Sequence, residues 1–327
     1  MGIGSAADTF RIGVIGAGSH GARYLRHAAA DVPGMAAVAL CRRDPAAAAA
    51  LAGALGVRAH ADPQALIADP DVDGVIIVTP PSSHFALAAA VLAAGKPLLL
   101  EKPMTGTLDE AVRLAALDAA AEHPLMLAQS LRWNPVIAQV RALWPRLGRV
   151  HLVRAAQRLA PTTLAWQRDP AVTVGGSVLL TGVHIFDTVR HLTGCEFVEI
   201  DSRQRRVQNP AVEDLFLARG RLDDGCWVDM EVSKYTRSRA CWLEAVGEDG
   251  QLWADYLQGG IVLRTGGDEE RFDVSAAVPT LPPLLADWLA VVRGGTAPPV
   301  GATDGVATLK VAEACYRSDA AGAPVPC

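Results

Sequence analysis

Three short stretches hold the residues best suited to do chemistry. In KPLLLEKPMTG, residues 96–106, an apolar run ends in Glu101, Lys102 and a proline. A buried strand should not end on a charged pair unless that end faces something polar. A lysine there can hydrogen-bond a substrate oxygen, polarise a carbonyl or help move a proton. It can equally do no more than contact a ribose or close a surface ion pair. In VIGAGSHG, residues 14–21, Gly16, Gly18 and Gly21 form a G-x-G-x-x-G array. The first glycine permits a tight turn, the second lets backbone approach a pyrophosphate, and the third lets a helix pack on a strand. Ser19 and His20 sit inside that loop, where an anion would meet a helix N-terminus. In ALCRRDP, residues 39–45, Arg42 and Arg43 occupy the position that reads the adenosine ribose of a dinucleotide. An acid there bonds the 2′-hydroxyl of NAD, whereas arginine accommodates the 2′-phosphate of NADP. Asp44 comes two residues late and reads as the cap of the next helix. This favours NADP over NAD, unless both arginines are solvated surface charges.

The array alone is weak, because Gly2, Gly4 and Ala7 fit G-x-G-x-x-A without any strand before them. Context decides. RIGVIG (11–16) is an apolar strand, and ARYLRHAAA (22–30) after the loop is helical. The pattern then repeats: strands at 35–41, 74–80, 97–101 and 125–129 alternate with helices at 45–55, 82–95 and 108–121. The 82–95 helix has a serine at its start and a glycine at its end. Strands apolar on both faces, alternating with helices, imply a doubly wound parallel sheet over residues 10–125. Its ligands bind outside the carboxyl ends of the strands, which turns Glu101 and Lys102 towards cofactor and substrate.

From about residue 126 to the end the texture is α+β. CWVDMEVSK (226–234) alternates Val228, Met230 and Val232 with Asp229, Glu231 and Ser233, the mark of an antiparallel strand with one covered face. DLFLARGRL (214–222) and ACWLEAVGEDGQLWADY (240–256) add strands, the latter with a hairpin-like GEDG turn. The fold class is therefore α/β: a Rossmann sheet followed by a domain with a large, mostly antiparallel open sheet. A last helix near 304–320 could pack back towards the first domain.

The chain has 327 residues, half of them apolar, with a net charge of -5. This excludes a nucleic-acid or polyanion binder as the first expectation. Six scattered cysteines without a C-x-x-C pair suggest reduced thiols and a cytoplasmic protein. The first nine residues lack the pattern of a secretory signal, and no apolar run approaches the roughly 20 residues of a membrane span. His184 and His191 lie seven apart, but no carboxylate or cysteine completes a set, so no metal is expected.

The glycine array, VTPPSSH (78–84), AGKPLLLEKPM (94–104) and GGSVLLTGVHIFD (175–187), in this order, resemble the glucose–fructose oxidoreductase and inositol dehydrogenase family. The resemblance covers residues 10 to 320, including LGRV (147–150) and DGVATLKVAEACYRS (304–318). It implies NAD(P)-dependent hydride transfer at a carbon bearing oxygen, on sugars, cyclitols or related polyols. By motif match Lys102 is the site lysine and His184 the site histidine, with Asp187 a supporting acid. Thr79, Pro80, His84 and Glu101 line the cofactor, and Trp166 and Arg168 resemble an element near cofactor and active site. Arg132 and Trp133, in QSLRWNP (129–135), either edge the substrate pocket or serve structure.

Enzymes of the inositol dehydrogenase type carry an aspartate where this chain has Leu180. Thr181 is adjacent but, on an α-helix, points about 100° away. Three readings stay open: His184 and Lys102 suffice for proton transfer, the substrate is less polar at that end, or chemistry is lost and dinucleotide binding kept as a sensor. His184 can also be a satisfied core histidine. Reduction of an imine or conjugated double bond is a further possibility on this scaffold. An uncovered sheet face suggests a homodimer or tetramer.

Overall fold

The computed structural model describes residues 9–274 and 279–327. Gly2, Gly4 and Ala7 lie outside the described residues. The chain forms two compact units. The first runs to Ala128 and takes in Leu281–Val306; the second comprises Gln129–Thr280 and Ala307–Cys327. The sequence pattern divides the chain at 125/126, whereas by compactness Leu281–Val306 falls with the first unit. The segment Leu281–Val306 groups with the first unit because Trp288, fully buried, stacks edge-on against Phe10 at 5.3 Å between ring centroids.

The first unit alternates β1 (Phe10–Ile15), α1 (Gly21–Ala30), β2 (Met35–Cys41), α2 (Pro45–Leu55), β3 (Arg58–His60), α3 (Pro63–Ala68), β4 (Gly74–Ile77), α4 (His84–Ala93), β5 (Leu98–Glu101), α5 (Leu108–Ala119) and β6 (Met126–Ala128). The strands form one parallel sheet in the order β3-β2-β1-β4-β5-β6. Strands β4 and β5 are buried along their whole length, as apolar runs between two helical layers must be. The strand order reverses between β1 and β4, which opens a crevice at their carboxyl ends. Helix α2 starts on Asp44, whose side chain accepts from the Ala47 N–H, and ends on Gly56 in the left-handed conformation. The serine expected to cap α4 does not. Ser83 is in the helical region, and its hydroxyl donates instead to Thr79 Oγ1 and the Pro80 carbonyl, because a short 3-10 turn at Pro81–Ser83 precedes the helix.

The second unit contains α6 (Pro135–Leu143), β7 (Val150–Arg158), α7 (Pro170–Thr173), α8 (Val183–Thr193), β8 (Phe197–Arg205), β9 (Leu215–Leu222), β10 (Trp227–Ser233), β11 (Ala240–Gly247), β12 (Gly250–Asp255), β13 (Gly260–Thr265) and β14 (Asp268–Asp273). Helix α9 (Leu281–Gly294) belongs to the first unit, and α10 (Ala302–Ala321) leads to the short β15 (Val325–Pro326). The nine strands run β14-β13-β12-β11-β7-β10-β9-β8-β15. Every adjacent pair is antiparallel except β7 and β10, so the sheet is mixed.

One face of this sheet is covered: α6 packs on β12 and β13, and α8 on β7. The other alternates charged and large apolar side chains, among them Leu217, Trp227 and Trp253, exposed by 52%, 44% and 38%. Opposite charges pair across its strands, as with Arg219 and Asp229, Arg158 and Glu231, and Arg154 and Glu244. By length and composition alone, one helical segment among the described residues, Pro170–Thr193, is apolar enough to cross a membrane. Its most apolar stretch is 83% buried inside the protein, so those side chains are core of the second unit.

Candidate functional site

At the crevice of the first unit the three glycines have three distinct reasons. Gly16 has a φ of +90°, and a Cβ there would collide with the Val78 carbonyl oxygen. A Cβ on Gly21 would collide with the carbonyl oxygen of Gly16. Around Gly18 a Cβ would meet nothing within 4 Å. The outer two glycines are thus demanded by the protein's own packing, while the space beside the middle one is left for a ligand. That space lies just before the N-terminus of α1, where free N–H groups and the helix dipole favour an anion.

The charged end of β5 answers to this loop. Glu101 is 6% exposed. Its Oε1 lies 2.7 Å from His20 Nε2 and accepts from the Tyr24 hydroxyl at 2.7 Å, while Oε2 accepts the Lys102 N–H at 3.1 Å. Burial alone would raise this carboxyl, but the His20 ring, the Lys102 ammonium and Tyr24 outweigh it and hold it at about 2. Glu101 therefore ties the glycine loop to the strand end as a carboxylate. Burial pushes the half-buried Lys102 below its ordinary value, and Glu101 opposes that shift. The Lys102–Pro103 peptide is cis.

One expected cofactor residue, His84, has a different placement. His84 is fully buried, with Nδ1 2.8 Å from the Pro103 carbonyl oxygen and Nε2 2.7 Å from that of Thr79. It clamps the ends of β4 and β5 together and does not line the crevice itself. Thr79 and Pro80 remain half-buried at the end of β4. At the end of β2, Arg42 is half-buried and Arg43 exposed, while Asp44 is occupied as the α2 cap.

In the second unit, Arg132 and Asp187 form a two-pronged ion pair, Nε to Oδ2 at 2.8 Å and Nη2 to Oδ1 at 2.6 Å, with Asp187 1% exposed. These two predicted substrate residues are joined to each other. Trp133 lies beside them in a 3-10 turn, half-buried. The α-helical spacing expected around Leu180 and His184 does not hold. Val178–Gly182 is a single turn of π-helix, and only from Val183 does α8 begin. An i→i+5 turn is wider than an α turn, so neither the four-residue step from Leu180 to His184 nor the 100° offset of Thr181 carries over. Leu180 and Thr181 are both buried, and His184 is half-buried on the first turn of α8.

The approach to this turn is strained and held from afar. Val174 has a φ of +66°, rare for a β-branched residue. Gly175 and Gly176 follow, and a Cβ on either would collide, with the Tyr316 hydroxyl and the Glu213 carbonyl oxygen respectively. Glu213 Oε1 accepts from the Gly176 N–H at 2.9 Å, the Val178 N–H at 3.1 Å and the Tyr316 hydroxyl at 2.9 Å. Burial raises the Glu213 carboxyl, and these neutral donors only partly oppose it. Leu180 also lines a cleft with Arg168, Gln167, Glu213, Asp214 and Lys234. Trp166 and Arg168 sit on a 3-10 turn at Ala165–Arg168, Arg168 exposed and donating to the Thr162 carbonyl at 3.2 Å.

Tyr24, Glu213, Tyr316 and Lys234 are not legible in the sequence as site residues. Tyr24 has a weak signal, standing one helical turn beyond His20 on α1. Glu213 lies 37 residues along the chain from Gly176, and Tyr316 a further 103 residues from Glu213, so neither has a local signature. Among the described residues one group of metal-ligand atoms converges, Cys195, Asp223 and Asp224, at a largely exposed position remote in sequence from the motifs above.

Residues 10–129 match the model of the oxidoreductase family with an NAD-binding Rossmann fold, and residues 145–327 match that of its C-terminal alpha/beta domain. The chain is 32% identical to inositol 2-dehydrogenase 1 of Saccharopolyspora erythraea over 97% of its own length and 96% of that protein's. The crystal structure of an oxidoreductase domain protein from Kribbella flavida superposes with a TM-score of 0.89 at 24% identity, covering 97% and 99% of the two chains. Levoglucosan dehydrogenase, solved with NADH and levoglucosan, superposes with a TM-score of 0.88 at 20% identity over 97% and 99%. With both domains matched in order, the chain belongs to the glucose–fructose oxidoreductase and inositol dehydrogenase family and is an NAD(P)-dependent oxidoreductase acting on CH–OH groups.

Proposed function

We propose that the protein is an NADP-preferring dehydrogenase of a cyclitol-, sugar- or polyol-like substrate, with Lys102 and His184 as its proton-handling residues. The observation that carries this reading is the glycine loop: two positions closed to any side chain flank one that is open, directly before α1 and beside the Glu101–Lys102 strand end. The bound dinucleotide supplies the hydride acceptor or donor. Gly16–Gly21 and the N-terminus of α1 hold its pyrophosphate, and Thr79 and Pro80 border it. Lys102 donates a hydrogen bond to the substrate oxygen, its ammonium kept ready to release a proton by partial burial. His184 is the second proton-transfer group, since an imidazole titrates near neutral pH. The relatives named for inositol and levoglucosan support a polyhydroxylated substrate.

NADP is favoured because Asp44, the acid that follows Arg42 and Arg43 in the chain, already accepts from the Ala47 N–H, which leaves the two arginines to read the ribose. A guanidinium can hold a 2′-phosphate through two parallel bonds. The uncovered sheet face, with its exposed tryptophans and paired opposite charges, supports a homodimer or tetramer, which light scattering would test. The cofactor reading is tested by titrating NADPH and NADH at fixed salt into the wild type and Arg42→Asp. The wild type should prefer NADPH, and the variant should lose about tenfold to a hundredfold of that preference. An unchanged ratio, or a wild type that prefers NADH, would place both arginines in solvent. Oxidation of cyclitols and sugars, followed by nicotinamide absorbance, tests the reaction itself.

A further inference from the structure

We propose that a cavity of the second unit, bounded by the end of β8, the loop before the π turn and α10, binds a small molecule carrying a phosphomonoester, and that its occupancy steadies the turn leading to His184. The site goes beyond the dehydrogenase reading and does not depend on it. The cavity has a volume of about 640 Å³. That lies within the roughly 300–1,000 Å³ of pockets that hold whole small molecules. Arg205 ends β8 and Arg206 follows it, and both border the cavity with exposed side chains. Among the described residues neither guanidinium has a hydrogen bond or an ion pair. The two acids on the same wall are held elsewhere. Asp319 Oδ1 accepts the Gln204 N–H at 2.9 Å. Glu213 Oε1 accepts the Gly176 and Val178 N–H groups and the Tyr316 hydroxyl. Like charges on adjacent residues repel, and an anion between them relieves this. A phosphomonoester suits the pair better than a carboxylate. It carries about 1.5 to 2 negative charges at neutral pH and three acceptor oxygens, which two guanidiniums can share.

The rest of the wall suits a carbon skeleton, since Val174, Ala211 and Val212 border the cavity too. It is also the wall that holds the π turn. Gly175, Glu213 and Tyr316 all border the cavity. Tyr316 donates to Glu213, which in turn accepts from the first N–H groups of the turn, and Val174 keeps its positive φ at the rim. A ligand packed against Val174 and Tyr316 loses those contacts whenever the turn opens. Binding therefore disfavours the opening by mass action.

The test titrates the protein with phenyl phosphate, phenol and inorganic phosphate by calorimetry at fixed ionic strength. Saturating NADPH is present so that the glycine loop does not compete for phosphate. Phenyl phosphate offers no alcohol to a dehydrogenase site, so its binding is independent of turnover. The site predicts that it binds at least about tenfold more tightly than phenol or inorganic phosphate, since the arginines hold its phosphate and the apolar wall its ring. The double variant Arg205→Gln with Arg206→Gln changes two exposed side chains. It should weaken phenyl phosphate about tenfold to a hundredfold and leave phenol unchanged. Equal affinity for phenyl phosphate and either control, or an affinity that survives the double variant, would overturn the site. Amide hydrogen exchange reads the link to the turn. Phenyl phosphate should slow exchange across residues 174–180 severalfold in the wild type and not in the double variant. Binding that leaves this exchange unchanged would overturn the link.

Discussion

Glu101 and Glu213 are both buried carboxylates that each gather several hydrogen-bond donors, yet their acidities move in opposite directions. Glu101 is held at about 2, whereas Glu213 is raised. Burial acts alike on both, disfavouring the charge. The difference lies in the partners. Glu101 faces an imidazole and an ammonium, while Glu213 faces two backbone N–H groups and a tyrosine hydroxyl. Neutral dipoles satisfy a carboxylate but do not repay the loss of water as a cation does. Charge thus ties the glycine loop to the end of β5, while neutral donors tie Glu213 to the turn before α8.

The largest expected effect breaks the charged side of this comparison. Lys102→Met should lower turnover by about a hundredfold or more, near 3 kcal/mol of transition-state stabilisation, with much less change in cofactor affinity. It should also raise the Glu101 carboxyl, because the ammonium is one of the charges holding it down. Single-turnover kinetics and cofactor titration separate the two. Near wild-type turnover would show that Lys102 is not the site lysine.

The two regions also differ in how much of them the sequence reveals. The Rossmann unit is written in local rules. Gly16 and Gly21 are forced by backbone collisions, Asp44 and Pro45 open α2 at the residues expected, and the boundaries of β2 and α2 agree to the residue. What local rules miss there comes from neighbours in space: the burial of His84 and the loss of the Ser83 cap both follow from the 3-10 turn before α4. Around His184 the local rule itself fails. A helical period of 3.6 does not run through a segment that forms a π turn, and that turn is held by Glu213 and Tyr316, which no spacing within 175–187 could reveal. The parallel pairing of β7 with β10 is equally hidden, since alternation shows that a strand has two faces but not which strand lies beside it.

The next effect sharpens the comparison through pH. Glu101 has a folded value below its ordinary 4.5, so its contribution to stability is present above that range and is lost as pH falls towards 2. The difference corresponds to roughly 3 kcal/mol at neutral pH. Glu101→Gln should therefore lower the urea midpoint at pH 7, and the deficit should shrink steadily as the pH is brought down through 4.5. A deficit of constant size from pH 7 to pH 3 would mean that His20 and Lys102 do not stabilise the charge.

The smallest effect should carry the opposite sign. Glu213 has a folded value above its ordinary one, so the stability linked to its proton is present at low pH and is lost as pH rises through the raised value. In Glu213→Gln the amide oxygen can still accept from Gly176, Val178 and Tyr316, and nothing ionises. The variant should match the wild type at pH 4 and gain on it towards neutrality, where the wild-type carboxylate bears its charge in a dry site. Glu213→Ala is the counterpart. It leaves those three donors without their acceptor, at about 1–3 kcal/mol for each that stays buried, and it frees the π turn that leads to His184. Its urea midpoint should fall at every pH, and any surviving activity should fall with it. Urea denaturation of all three proteins across this range reads both signs at once. A Glu213→Gln variant that weakens as pH rises would show that this carboxylate is favoured in its charged form, and the contrast with Glu101 would disappear.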